Sequence, residues 1–165
     1  MNTTAPAQPE GFWHRYLLGP IMAQLSQGIT PQKIALTLAL GAVISVFPVF
    51  GATTLLCGVV GVWLRLNQPL IQALNYLLTP VHVALLLPFY RAGEALFGQP
   101  PVPIFSVGDL IARFEASPLQ FVLDYGMVGV YGVTVWALVA PVAAILLYLL
   151  LHPVLQRLPA RATAD

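Results

Sequence analysis

The chain has 165 residues, of which 58% are hydrophobic and only 8% are charged, whereas about 25% are charged in a typical soluble domain. The mean hydropathy is +0.82. Seven basic and six acidic side chains cannot cover the surface of a soluble protein of this length, so the composition excludes a soluble globular domain, a disordered chain and a nucleic-acid-binding module. We therefore expect one all-α integral membrane domain.

The N-terminal part of the chain is predicted to lie along the membrane surface. Residues 1–11 lack the basic start and apolar core of a signal peptide, so we expect a flexible N-terminus. Residues 12–30 combine an aromatic, apolar helical face with a polar one, which is typical of an interfacial amphipathic helix. Thr30 and Pro31 are expected to begin the next helix as its cap and first residue.

A membrane core is predicted over residues 31–98, and the length of its first segment is unusual. Ile34–Leu64 has 31 residues without a charged or histidine side chain. This is too long for one spanning helix and too short for two spans with a turn. Pro48 and Gly51, at its centre, favour a break. We therefore predict a re-entrant-like helical hairpin, whose broken backbone must be shielded by protein or lie beside water.

The second segment of the core, Leu66–Tyr90, is predicted to be a proline-broken helix. Asn67 is a suitable N-cap, Pro80 is expected to break the middle, and Pro88 to end the helix. Polar residues recur here at positions that fall within about 80° of one face of a continuous helix. This polar intramembrane stripe consists of Gln72, Asn75, Thr79 and His82.

The remaining chain is predicted to form an insertion, one span and a tail. Residues 99–125 begin with a proline-rich linker and continue as two short amphipathic extramembrane helices. These helices are Asp109–Glu115 and Ser117–Asp124. Residues 126–151 carry no charged or histidine side chain, which predicts one C-terminal transmembrane helix. Residues 152–165 form a C-terminal tail.

The distribution of basic residues predicts the orientation in the membrane. Arg15, Lys33 and Arg65 flank the hairpin, and two arginines follow the last span. Residues 91–125 carry more acidic than basic side chains. Because lysine and arginine near membrane segments favour the cytoplasm, we expect the insertion outside and both termini in the cytoplasm.

The proline-centred segments resemble those of a bacterial family. The shared pattern consists of a Pro-x-x-Gly turn at Pro48 and Gly51, Leu-Arg-Leu-Asn at 64–67, Asn75 and Pro80, and Tyr-Arg-x-Gly at 90–93. This pattern resembles the membrane family named domain of unknown function 2062, which has no established activity. The resemblance implies a multi-pass protein of the bacterial inner membrane. In architecture it is similar to bacterial proteins with re-entrant loops proposed to move polyprenyl phosphate lipids.

The turn of the hairpin is the first candidate site, and Pro48, Gly51 and Pro80 are the predicted hinge and turn positions. A helix that begins at Gly51 inside the membrane presents unpaired amides, which form a positive pole suited to an anionic head group. Alternatively, Thr53 and Thr54 simply cap that helix.

Polar and basic side chains supply the other candidates. The stripe either lines a hydrated path, with His82 as a proton carrier, or supplies hydrogen bonds between helices. Arg65 and Arg91 either bind phosphate or interact with head groups and set the topology, and Glu94 is placed to neutralise Arg91. The predicted substrate-binding residues are Gly51, Thr53, Thr54, Arg65, Asn75 and Arg91.

Residue patterns for enzyme catalysis are missing from the sequence, which has no GxSxG, HExxH, Walker or GxGxxG motif. The three histidines are far apart, so we expect no metal site and no cofactor. The single cysteine, Cys57, lies in an apolar run and is expected to be a small buried side chain. We therefore expect a protein that is not an enzyme.

Two functions are compatible with these features. The first is transport or translocation of an anionic, lipid-phosphate substrate by a chain that forms homo-oligomers around a pathway. The second is a non-catalytic membrane subunit or scaffold that assembles with an envelope-biogenesis partner. Both involve the lipid bilayer, and neither involves nucleic acid.

Overall fold

The computed structural model describes residues 29–49, 51–101 and 107–157, and this part of the chain is all-helical. Its helices are α1 (Pro31–Ser45), α2 (Ala52–Trp63), α3 (Gln68–Leu77), α4 (Thr79–Leu96), α5 (Val107–Ala116) and α6 (Pro118–Gln156). The predicted flexible N-terminus, almost all of the predicted interfacial helix and the end of the predicted tail lie outside the described residues.

The predicted hairpin is present as α1 and α2. Thr30 caps α1, because its hydroxyl accepts a hydrogen bond from the Lys33 amide at 3.4 Å, and Pro31 opens the helix. Gly51 begins α2 with φ 84°, a left-handed backbone that glycine adopts without a steric penalty. The 15 residues of α1 and 12 residues of α2 correspond to lengths of about 22 and 18 Å.

The predicted proline-broken helix is also present, as α3 and α4. Asn67 caps α3 by accepting from the Leu70 amide at 2.9 Å. Leu78 separates the two helices, which are bent by 64° relative to each other. The expectation that Pro88 ends the second half is wrong, since α4 continues through it. A proline inside a helix removes one amide donor, and packing against neighbouring helices compensates for that loss.

The last helix is longer than the sequence predicts. The 39 residues of α6 join the second predicted insertion helix, the predicted span and the start of the tail. No turn residue interrupts the chain around Gly126, and Pro141 and Pro153 lie inside the helix without ending it. By length and composition α6 can cross a membrane, and the bent pair α3–α4 meets the same criterion when counted as one span. Among the helices described, no other one does.

Helix α1 is the centre of the packing, with α2, α3 and α6 around it, while α4 packs along α6. Its start contacts the end of α6, because Ile34 and Ala35 share a buried cluster with Leu155. Its end contacts the middle of α6, where the Trp136 indole donates to the Val43 carbonyl at 3.0 Å. The two helices are therefore antiparallel. We call the end where α1 begins the base of the hairpin.

Two glycines bring α4 and α6 into close contact. A Cβ atom at Gly93 would lie 2.5 Å from the backbone carbon of Tyr131, and one at Gly132 would lie 2.6 Å from the ring of Tyr90. Small residues that let helix backbones approach are typical of packing between membrane helices. The Phe97 and Tyr131 rings stack beside this contact with centroids 4.7 Å apart.

Because the obstacle at position 93 is backbone, Gly93→Ala must separate α4 from α6. We expect it to lower the unfolding free energy by about 1–3 kcal/mol, measured by thermal unfolding of the purified protein in detergent. Gly129→Ala is the matched control, since nothing lies within 4 Å of a Cβ there. Equal melting temperatures for the two variants would contradict the contact.

Candidate functional site

The hairpin turn is held from outside by side chains of two other helices. The Tyr90 hydroxyl of α4 donates to the Pro48 carbonyl at 2.9 Å. The Phe47 ring lies edge-on to the Trp136 ring of α6, with centroids 4.9 Å apart. The His82 ring hydrogen-bonds with the Phe47 backbone. The turn is therefore fixed to α4 and α6 at once.

A polar cluster joins the first turn of α2 to α3. Asn75, which is buried, donates from Nδ2 to the Thr54 hydroxyl at 3.1 Å, and Gln72 donates from Nε2 to the Thr54 carbonyl at 3.2 Å. The N-cap of α2 is Gly51, which makes no side-chain capping bond. Thr54 therefore connects α2 to α3. The alternative from the sequence was that Thr53 and Thr54 cap the start of α2.

The polar stripe does not lie along one continuous helix. Gln72 and Asn75 belong to α3, and Thr79 and His82 belong to α4, beyond the 64° bend. The Thr79 hydroxyl donates to the Asn75 carbonyl at 3.3 Å, across the break. All four side chains thus make hydrogen bonds to protein groups, and these bonds hold the bend and the hairpin together.

The two arginines predicted to bind substrate are in different surroundings. Arg91 donates to the Glu94 carboxylate at 2.8 Å, and the Glu94 side chain is only 3% exposed. The expected neutralisation of Arg91 by Glu94 is thus present. Arg65 lies at the base, in the α2–α3 turn, where it lines an open groove together with Lys33.

The predicted binding residues therefore fall into three places. Gly51, Thr53, Thr54 and Asn75 lie around the first turn of α2, Arg91 lies next to Tyr90 near the turn, and Arg65 lies at the opposite end of α2. Within the described part of the chain, no group of three or more His, Cys, Asp or Glu side chains is placed to hold a metal ion. Cys57 is fully buried and hydrogen-bonds with Ser45.

Comparison with protein families gives one match. The model of the family described as an uncharacterized protein conserved in bacteria (DUF2062) matches residues 15–163. The chain belongs to the DUF2062 family. No curated protein and no solved structure matches it.

The residues that carry the resemblance to the DUF2062 family lie at contacts between helices. Pro48 and Gly51 lie at the hairpin turn, Asn67 caps α3, and Asn75 joins α3 to α2. Tyr90 holds the turn, and Gly93 contacts α6. The motifs therefore describe one packing arrangement.

Trp136 and Lys33 are important positions that the sequence did not single out as site residues. Trp136 is one aromatic residue in an apolar span, and no sequence pattern links it to Val43, which lies 93 positions away. Lys33 contributes to the predicted orientation, but its place beside Arg65 depends on the α2–α3 turn. The sequence signal that could have indicated Lys33 was its position three residues after the helix cap Thr30.

Tyr90→Phe removes the donor to the Pro48 carbonyl while keeping the ring. We expect a loss of about 1 kcal/mol in unfolding free energy, measured by thermal unfolding in detergent. Tyr76→Phe is the control, because Tyr76 is 66% exposed and should leave stability unchanged. If Tyr90→Phe is as stable as the control, the hydroxyl does not hold the turn.

Proposed function

We propose that this chain is a small multi-pass protein of the bacterial inner membrane that moves an anionic, lipid-phosphate substrate. The observation that carries the proposal is the position of the hairpin turn against α6. The turn contacts Gly132 and Trp136, which lie about 9 and 15 Å along the helix from Gly126, where the uncharged stretch begins. If α6 crosses the bilayer, the hairpin ends inside the hydrocarbon layer and both arms return to the base.

The surface of α6 supports a membrane environment. Only 6% of its most apolar 18-residue window is buried in the protein, whereas the core helix of a soluble protein is mostly buried. Leu146, Leu149 and Leu150 are all more than half exposed. Such a continuous apolar surface is unfavourable in water and suits contact with lipid.

The charges favour an orientation with the base in the cytoplasm. Lys33, Arg65 and Arg157 lie at or near the base, whereas the acidic residues of the described chain lie between residues 94 and 124. In this arrangement α3–α4 crosses outward, α6 crosses back, and α1–α2 is the re-entrant hairpin. Arg65 and Arg91 then serve opposite ends of one path.

The break between α3 and α4 is the feature of the fold that favours transport over a scaffold. Discontinuous helices near the middle of the bilayer form the substrate sites of many transporters. Here the break at Leu78 lies next to the polar cluster of Gln72, Asn75 and Thr54.

A second candidate, a membrane scaffold, is favoured by one face of α2. Leu55, Val59, Val62 and Trp63 are each more than half exposed and lie along a shallow apolar groove. A partner helix would find there both exposed apolar side chains and the small residue Gly58.

The re-entrant turn is tested by adding one cysteine at a time, at two positions, and labelling it with a membrane-impermeant maleimide. Val49 in the turn and Leu64 near the base are matched, because they are 38% and 37% exposed. We expect Val49→Cys to react, if slowly, from the same cytoplasmic side as Leu64→Cys. The wild-type chain is the control, since its Cys57 is fully buried. Labelling of Val49→Cys only from the periplasm would contradict the re-entrant hairpin and would indicate that α1 and α2 each cross the membrane.

Transport is tested by translocation of fluorescent phosphatidylglycerol in vesicles that contain the purified protein. We expect Arg65→Gln to slow translocation about tenfold, because one ionic contact with the phosphate is lost. Arg91→Gln leaves the buried Glu94 carboxylate without this partner, so the double variant Arg91→Gln/Glu94→Gln is its control. If the double variant translocates at the wild-type rate, Arg91 serves to neutralise Glu94. If its translocation stays slow, Arg91 contacts the substrate.

No translocation by the wild-type protein would reject the transport proposal. Co-purification of one stoichiometric membrane protein, abolished by Val59→Lys, would then favour the scaffold. Val130→Lys on α6 is a suitable control, because Val130 is similarly exposed at 53%.

A further inference from the structure

We propose that the groove at the base of the hairpin binds the phosphate of an anionic lipid through Lys33 and Arg65. This inference rests on the proposed function, because it names where and how such a lipid is first held. Arg65 is among the binding residues predicted from the sequence and Lys33 is not, and the groove lies at the other end of α2 from the turn cluster.

The groove exists because two helix starts meet at the base. Its walls come from the beginnings of α1 and α3, the turn before α3, and Tyr148 of α6, and they enclose about 880 Å³. The buried Thr37 hydroxyl connects the two starts, because it donates to the Lys33 carbonyl at 2.8 Å and accepts from the Asn67 amide at 3.4 Å. The backbone at Lys33 is therefore linked to the backbone at Asn67, two residues after Arg65.

The groove is rich in positive charge. Neither Lys33 nor Arg65 makes an ion pair or a side-chain hydrogen bond within the described structure. None of the described residues that line the groove is acidic. A phosphate would gain two ionic contacts at this groove without displacing a carboxylate, whereas at Arg91 it would have to compete with Glu94.

Helix ends contribute less to this charge than the two side chains do. The positive ends of α1 and α3 lie at the groove, but the negative end of α2 also lies at the base. These dipoles partly cancel. The charges of Lys33 and Arg65 therefore decide the affinity, and removing them is the direct test.

Arg65 holds its guanidinium at the groove in an unfavourable backbone conformation. It has φ 52°, in the left-handed region that glycine adopts more easily. The turn is fixed on both sides of Arg65, because the Leu64 amide donates to the Val60 carbonyl at 2.9 Å and the Leu66 amide donates to the Gly61 carbonyl at 2.7 Å. Arg65→Gly should therefore relieve strain while removing the charge.

The apolar part of the groove favours a lipid over a free phosphate. Leu36, Leu66 and Tyr148 line it next to the two cations. A ligand with a phosphate and acyl chains would contact both surfaces, whereas inorganic or sugar phosphate would use only the cations.

Binding is measured with the purified full-length chain in neutral detergent, by equilibrium titration with three probes. Dioctanoyl phosphatidylglycerol carries phosphate and chains, dioctanoylglycerol carries only the chains, and glycerol 3-phosphate carries only the phosphate. We expect the first to bind at least about tenfold more tightly than either of the others. If glycerol 3-phosphate binds as tightly as the lipid, the ligand is a soluble phosphate and the lipid assignment is overturned.

Variants test whether the groove is the site. Lys33→Gln and Arg65→Gln should each weaken phosphatidylglycerol binding about tenfold, and the double variant about a hundredfold. Arg157→Gln removes a charge near the same end without lining the groove, and should change binding less than twofold. Wild-type affinity in the double variant, or an equal loss in Arg157→Gln, would overturn the site.

Arg65→Gly separates binding from folding. We expect it to melt at or above the wild-type temperature and yet to bind as weakly as Arg65→Gln. Stable Arg65→Gly with wild-type affinity contradicts the proposal. Groove binding without vesicle translocation rejects transport only. Translocation by the Lys33→Gln/Arg65→Gln variant at the wild-type rate rejects the groove and the phosphate contact of Arg65, while transport itself stands.

Discussion

The structure depends on pairing the backbone carbonyls where α1 ends. Pro48 has no amide hydrogen, so the helix cannot continue its own hydrogen bonds through this position. In apolar surroundings an unpaired carbonyl is costly. Trp136 and Tyr90 donate to the carbonyls of Val43 and Pro48. Because these donors belong to α6 and α4, the hydrogen bonds that pair the carbonyls of this one turn also fix α6 and α4 against the hairpin. Glycines at the α4–α6 contact let those helices come close enough to do so.

The ionisable groups divide into two kinds of environment. Near the turn, Arg91 is paired with the buried carboxylate of Glu94, and the polar side chains of α3 bond to α2. At the base, Lys33 and Arg65 border an open groove and make no ion pair within the described structure. The first environment maintains the shape of the protein, while the second has charge available for a ligand. This contrast is the reason that we propose the base, rather than the turn, for first contact with an anionic lipid.

Local chemistry made several elements predictable. Thr30 and Asn67 are helix caps because their side-chain oxygens reach amides three residues ahead. Pro48 and Gly51 predicted the hairpin turn, and the break before Pro80 was expected for the same reason. Other features depend on packing between distant residues. A proline such as Pro88 can end a helix or lie within it, and its neighbours decide which. The stripe was counted along one continuous helix, whereas the angle of the expected break, 64° at Leu78, cannot be read from residue spacing.

The sequence by itself determined that the chain is helical and apolar, where its hairpin turns, and which residues cap or break its helices, because these properties come from each residue and its immediate neighbours. The family membership follows from the same motifs. Only the tertiary structure decided that Trp136 and Tyr90 complete the turn, that Glu94 neutralises Arg91 in a buried position, and that Lys33 and Arg65 line one groove. Lys33 and Arg65 lie on opposite sides of a hairpin, and only its closure brings them together.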